Sequence, residues 1–87
     1  MITAIVKVTA ERAALPTVGE KLAAVEGVSV YSVTGDVAFI AMVRALEHEE
    51  LADIVTRRIA QVPGVQRTET HVAFKVYSRY DIERIFG

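Results

Sequence analysis

The sequence predicts an α+β domain with elements in the order β-α-β-β-α-β, on three observations. Four stretches read as strands, the first by its alternation and the second by its β-branched and aromatic residues. Two stretches between them carry apolar residues at helical spacing. The two halves also echo each other. Leu22-Ala23-Ala24-Val25-Glu26-Gly27-Val28 closes the first helical stretch, and Ile59-Ala60-Gln61-Val62-Pro63-Gly64-Val65 closes the second.

Residues 2–9 form the first strand, with Ile2, Ala4, Val6 and Val8 on one face and Thr3, Ile5, Lys7 and Thr9 on the other. Residues 10–16 connect it to a helix. Thr17 and Glu20 have capping-box spacing, so Thr17 is expected at the N-cap. Val18, Leu22 and Val25 give that helix its apolar stripe, and Gly27 is expected in the left-handed conformation that ends helices. Val28 to Thr34 reads as the second strand and Val37 to Arg44 as the third, joined by a two-residue Gly35-Asp36 hairpin turn. Glu47, Glu49 and Glu50 gather where the next helix begins, at the end where its dipole favours anions. Leu51, Ile54, Val55, Ile59 and Val62 form its apolar stripe, and Pro63-Gly64 ends it. Residues 65–77 read as the fourth strand. Ser78-Arg79-Tyr80-Asp81 then caps a last short helix carrying Ile82, Ile85 and Phe86.

This order is the split βαβ, ferredoxin-like arrangement: a four-stranded antiparallel sheet with two helices on one face. The other face is too apolar to stay wet. In the third strand Val37, Phe39, Ala41 and Val43 alternate with Ala38, Ile40 and Met42, so both faces are apolar. Two helices cover one face only. A second copy of the same face is the simplest cover for the other, which predicts a sheet-to-sheet dimer. Burying several hundred Å² of apolar surface this way is worth roughly 10 kcal/mol before the costs of association.

The totals narrow the function classes. The 87 residues make one domain, 1–87, with no cysteine for disulfides, thiolate metal sites or thiol nucleophiles. Met1 leads straight into the first strand without a basic leader, and no apolar run approaches the roughly 20 residues of a spanning helix. The expectation is a soluble, cytoplasmic protein with no membrane partner. The net charge is −1 and the pI about 6.1. Arg57-Arg58 is the only local basic pair, too little for direct contact with nucleic acid. The hydrophobic fraction is 52% and the mean hydropathy +0.32, a surplus that an interface would absorb.

The succession Val28-x-Val30-Tyr31-x-Val33-Thr34-Gly35-Asp36 resembles the core of the Lrp/AsnC (leucine-responsive, feast/famine) transcriptional regulators. So does Val62-Pro63-Gly64-Val65-x-Arg67-Thr68-Glu69-Thr70. The resemblance covers essentially the whole chain, and corresponds to the C-terminal effector-binding (RAM-type) domain of those proteins without their helix-turn-helix. It implies an amino-acid-sensing and assembly module. Its sheets would pair into homodimers, dimers would join into larger rings, and a small-molecule effector, an amino acid, would sit in clefts between dimers. Co-assembly with full-length relatives is a further implied partnership. Carried over by position, the effector site takes Gly35 and Asp36 with their neighbours Val33, Thr34 and Val37, and Thr68 and Thr70 from the last strand. Asp36 would meet the effector's ammonium group. Loop N–H groups and threonine hydroxyls would meet its carboxylate, and Gly35 would let the backbone approach closely. Ala38 stands where the family often carries a second acidic residue.

Each of these residues also has a plainer reading. Asp36 suits a turn, and Thr68 and Thr70 suit a strand, on general grounds alone. His48 lies in Glu47-His48-Glu49-Glu50, which lacks the spacing of a helical metal site and reads as a solvated helix start. His71 follows the Thr-x-Thr segment and reads as an interface histidine. No residue pattern calls for a metal or cofactor, and no catalytic set is evident. Two other functions fit the same fold: a small dimeric α+β-barrel enzyme of monooxygenase or isomerase type, with His71 as its base, and a pure assembly adaptor.

Overall fold

In a computed structural model, which describes residues 1–75 and 77, the strands form one antiparallel sheet in the order β2-β3-β1-β4. The elements are β1 (Ile2–Ala10), α1 (Leu15–Ala23), β2 (Val28–Ser32), β3 (Phe39–Ala45), α2 (His48–Asp53) and β4 (Val65–Val72). This is the predicted split βαβ arrangement. The final helix expected from Ser78 onward, with Tyr80, Ile82, Ile85 and Phe86, lies outside the described residues.

Register explains the core. Val6 of β1 stands between Ala41 of β3 and Thr70 of β4, and Val8 between Phe39 and Thr68. The helix side of the sheet therefore presents Ala4, Val6, Val8, Phe39, Ala41 and Val43, which bury against Val18 and Leu22 of α1 and against Leu51, Ile54, Ile59 and Val62. No polar side chain is buried among the described residues, so the core is held by apolar burial alone. Gly19 lets α1 lie close to β3, because a Cβ there would stand 3.2 Å from the Phe39 ring.

The structure corrects several local expectations. Thr17 is not an N-cap. A 3₁₀ turn at Arg12–Ala14 runs directly into α1, whose cap residue is Ala14 and whose first turn contains Pro16. Proline lacks only an N–H that the first helical turn leaves unbonded anyway, so the helix starts before Thr17. The β2–β3 connection is longer than two residues. β2 ends at Ser32, β3 starts at Phe39, and Val33 N–H donates to Ala38 O across the loop at 3.2 Å. A tight type I′ turn needs positive φ at both central residues, and only Gly35 has it, at 108°. Finally, β4 stops at Val72 although Ala73 N–H still donates to Thr3 O at 2.8 Å. Beyond that point Phe74 is fully exposed.

α2 does not stay a regular α-helix. Its continuation, Ile54–Ile59, is a π-helical turn, with Ala60 N–H donating to Val55 O at 2.9 Å. Thr56 Oγ1 also donates to Ala52 O at 2.7 Å, tying the wider turn to the one before it. The wider turn places Ile54 and Ile59 on the same, buried side. At the helix start, Glu50 Oε2 accepts from Leu46 N–H at 3.2 Å, which satisfies a donor ahead of the first turn. Arg57 and Arg58 both reach the Asp53 carboxylate, at 3.4 and 3.9 Å, on a solvated face where such pairs are worth little.

The echo between the halves is structural. Val28 N–H donates to Val25 O at 3.2 Å, and Val65 N–H donates to Val62 O at 3.1 Å. Each turn holds a glycine at its third position with positive φ: 84° at Gly27 and 100° at Gly64. Gly27 thus serves the turn that launches β2, beyond the cap residue Ala24, and does not itself cap α1. The carbonyls of Gly27 and Gly64 then accept from the backbone N–H groups of Arg44 and Glu11, each at 2.9 Å. These bonds lock the start of β2 to the end of β3, and the start of β4 to the end of β1.

Gly64 is the more constrained of the two. A Cβ there would lie 2.8 Å from both Ala14 Cβ and Val18 Cγ2. Around Gly35, by contrast, a Cβ would meet nothing within 4 Å. Gly35→Ala should therefore cost only the backbone strain of positive φ, about 1–2 kcal/mol. Gly64→Ala should cost clearly more, because α1 must also retreat. Urea denaturation at equal protein concentration measures both, and equal losses would contradict this ranking.

Candidate functional site

The β2–β3 loop, residues 33–38, is pinned at its base. Val33 N–H donates to Ala38 O, and Ala38 N–H donates to Val8 O at 2.9 Å. The second bond ties the loop to β1, the central neighbour of β3. On the far side of β1, β4 carries an irregularity: Thr9 pairs with Arg67 but Ala10 pairs with Val65, leaving Gln66 as the extra residue. Such a bulge bends a strand and re-aims its side chains. Thr9 Oγ1 donates to Arg67 O at 3.3 Å beside it.

Loop and bulge together bound a cleft of about 490 Å³. Val33, Gly35, Asp36 and Val37 line one wall, Gln66 and Arg67 the other, and Arg12 a further edge. A smaller cleft of about 170 Å³ adjoins it, shared by Asp36, Val37, Thr9 and Arg67 and extended by Lys7 and Glu69. Among the described residues, Lys7, Arg12, Asp36 and Arg67 form no side-chain ion pair within 4.0 Å, so their charges face solvent uncompensated by direct contact.

Four of the residues proposed from sequence, Val33, Gly35, Asp36 and Val37, thus share one cleft. Thr34 sits exposed in the same loop and lines neither cleft. Thr68 and Thr70 are not brought to the loop within one chain. They pair with Val8 and Val6 and so lie on the helix side of the sheet, whereas Arg67 and Glu69 lie on the open side. Because β4 is an edge strand, the helices roof it only partly: Thr68 is half-buried and Thr70 exposed.

Lys7, Thr9, Arg12, Gln66 and Arg67 were not singled out from sequence. Arg67 had a legible signal, since strand alternation separates it from Thr68 and Thr70. Arg12 and Gln66 had none, because a 3₁₀ turn and a bulge place them.

The open sheet face has an apolar centre and a polar rim. Ile5, Ile40, Met42 and Tyr31 occupy the centre, with Ile5 opposite Met42 and Tyr31 opposite Ile40. His71 lies at the margin opposite Ile5, and its Nε2 is 2.9 Å from Glu69 Oε2 on the same strand. His71 lines neither cleft.

A depression of about 520 Å³ at the opposite end of the sheet, near Met1, Gly27 and Glu50, is chemically less free. Glu50 already accepts from Leu46 N–H, and Asp53 is held by two arginines. No helix of the described residues is long and apolar enough to cross a membrane.

Residues 3–82 match the family model described as the Lrp/AsnC ligand binding domain. The crystal structure of TTHA0845 from Thermus thermophilus is similar at 44% identity and a TM-score of 0.85, covering 91% of this chain and 100% of that one. Escherichia coli AsnC shares the fold at 19% identity and a TM-score of 0.82, covering 94% of this chain and 56% of its own. The transcriptional regulator NMB0573 from Neisseria meningitidis, solved in complex with L-Met, shares the fold at 13% identity and a TM-score of 0.80, covering 97% of this chain and 58% of its own. No curated relative matches the chain.

Proposed function

Because this chain belongs to the Lrp/AsnC ligand-binding domain family, we propose that it is a regulatory sensor that binds an amino acid and acts through assembly rather than by gripping DNA itself. The observation that carries this reading is the cleft between the 33–38 loop and the Gln66 bulge, with Asp36 and Arg67 unpaired in its walls. An α-amino acid brings one ammonium and one carboxylate. Asp36 suits the first, and a guanidinium or the loop N–H groups suit the second. The L-Met complex of the Neisseria regulator, held on the same fold, supports an amino acid as the ligand class. The net charge of −1 supports a role without direct phosphate-backbone contact.

Assembly completes the site. The open face carries Ile5, Ile40, Met42 and Tyr31, with Tyr31 57% exposed in the single chain. An apolar centre within a polar rim is the anatomy of a protein interface. Two copies packed face to face bury it. Thr68 and Thr70, on the opposite, helix-side margin of β4, are open to the loop of a copy in a neighbouring dimer. In this reading the effector cleft is shared between copies, and ligand binding reports on how many copies are joined. Larger rings, and mixed assemblies with full-length family members in the cytoplasm, follow from the same surfaces. His71 is engaged by Glu69 outside the cleft, which favours a binding module over an enzyme.

Two measurements test this. A thermal-shift screen against the free amino acids should give a selective rise, since a ligand at a hundredfold excess over Kd adds about 2.7 kcal/mol. Asp36→Ala should abolish that rise while leaving the unliganded Tm in place. Silence across all amino acids would sink the sensor reading. In light scattering the protein should run as a multiple of its 9.5 kDa chain, and Met42→Asp should drive it to monomer. A monomer for the unaltered protein would remove the sheet-to-sheet dimer.

A further inference from the structure

Resting on the sensor reading above, we infer that the effector is a dicarboxylic α-amino acid of the glutamate or aspartate type. The charges lining the larger cleft are Arg12, Arg67 and Asp36, and every other lining side chain is neutral. Two cations and one anion call for a ligand with two anionic groups and one cationic group. At neutral pH an acidic α-amino acid carries two carboxylates and one ammonium, and neutral or basic amino acids do not.

The arginines are placed for this. Arg67 stands at the bulge on β4, and Arg12 on the 3₁₀ turn that leads into α1. They approach the cleft from different elements, so each can take a separate carboxylate. Neither has an ion-pair partner among the described residues. The planar guanidinium fork matches a carboxylate in two parallel hydrogen bonds, a selectivity that lysine lacks. Lys7 and Glu69, which extend the adjoining cleft, bring one charge of each sign and so leave the count unchanged. Asp36 then meets the ammonium. A cleft of about 490 Å³ is ample for glutamate.

Titration calorimetry at low salt, on the purified full chain, separates the outcomes. Low salt is needed because exposed charges are screened within about 10 Å at 0.1 M ionic strength. Glutamate or aspartate should bind at least about tenfold more tightly than glutamine or asparagine, which have the same shape with one charge fewer. Arg12→Gln and Arg67→Gln should each bring that ratio close to one. Glutarate, which lacks the ammonium, should bind more weakly than glutamate, and Asp36→Asn should erase that difference. Glutamine or a neutral aliphatic amino acid binding as tightly as glutamate would overturn the charge assignment and leave the sensor reading intact. An acidic preference that survives both arginine variants would also overturn it. Binding of no amino acid at all would overturn both readings together.

Discussion

Two helices cannot roof both faces of a four-stranded sheet, and much of this molecule follows from that shortage. On the roofed side the central strands present alanine and valine beside Phe39, whose ring Gly19 leaves room for, so α1 and α2 settle closely. No buried polar side chain interrupts that core among the described residues. On the other side Ile5, Ile40 and Met42 are only half-covered. A small chain gains limited burial from its own core, so an apolar open face links its stability to assembly. On the proposed function, the face that is costly to leave wet is also the one through which a ligand's signal becomes a change in association.

The pseudo-repeat organises the site. In each half a glycine turn starts a strand, and its carbonyl is fastened to the end of the strand it will pair with. At Gly64 this sets β4 against β1 with one residue in excess, and that excess becomes the Gln66 bulge. The loop between β2 and β3 belongs to neither half. It is held to β1 through Ala38, and so hangs over the same end of the sheet as the bulge. The cleft is thus a consequence of how the two halves are joined. A tightly packed backbone turn at Gly64, remote in the chain from the 33–38 loop, sets where the Arg67 side chain stands relative to that loop.

On the proposed function, the cleft's charges are the groups that meet the ligand. Three ion contacts lie elsewhere on the described surface: Asp53 with Arg57 and with Arg58, and Glu69 with His71. In the cleft, Asp36, Arg12 and Arg67 remain apart. Exposed groups lose little by waiting in water, and a ligand that meets several at once gains from each. Family membership supplies the class of domain, and the proposed effector type rests on the arrangement of three charges in this chain.

Consecutive residues were enough to establish the element order, the antiparallel sheet, the helix-facing residues and the apolar open face. Alternation and helical periodicity are local signals, so each element could be read where it stood. The same stretch of chain also marked Val33, Gly35, Asp36 and Val37 as neighbours. Local reading misplaced the start of α1, because the Thr17–Glu20 spacing competed with a 3₁₀ turn held by packing near Gly64. It shortened the 33–38 loop, because the bond from Ala38 to Val8 is made to another strand. Two relations emerged only from the assembled sheet: Thr68 and Thr70 take the helix side of it, and Arg12 and Arg67 border the Asp36 cleft. They depend on the register between β1 and β4, whose paired residues Thr9 and Arg67 lie 58 positions apart. Distant register is settled by the burial of whole strands at once, and no short stretch of sequence carries it.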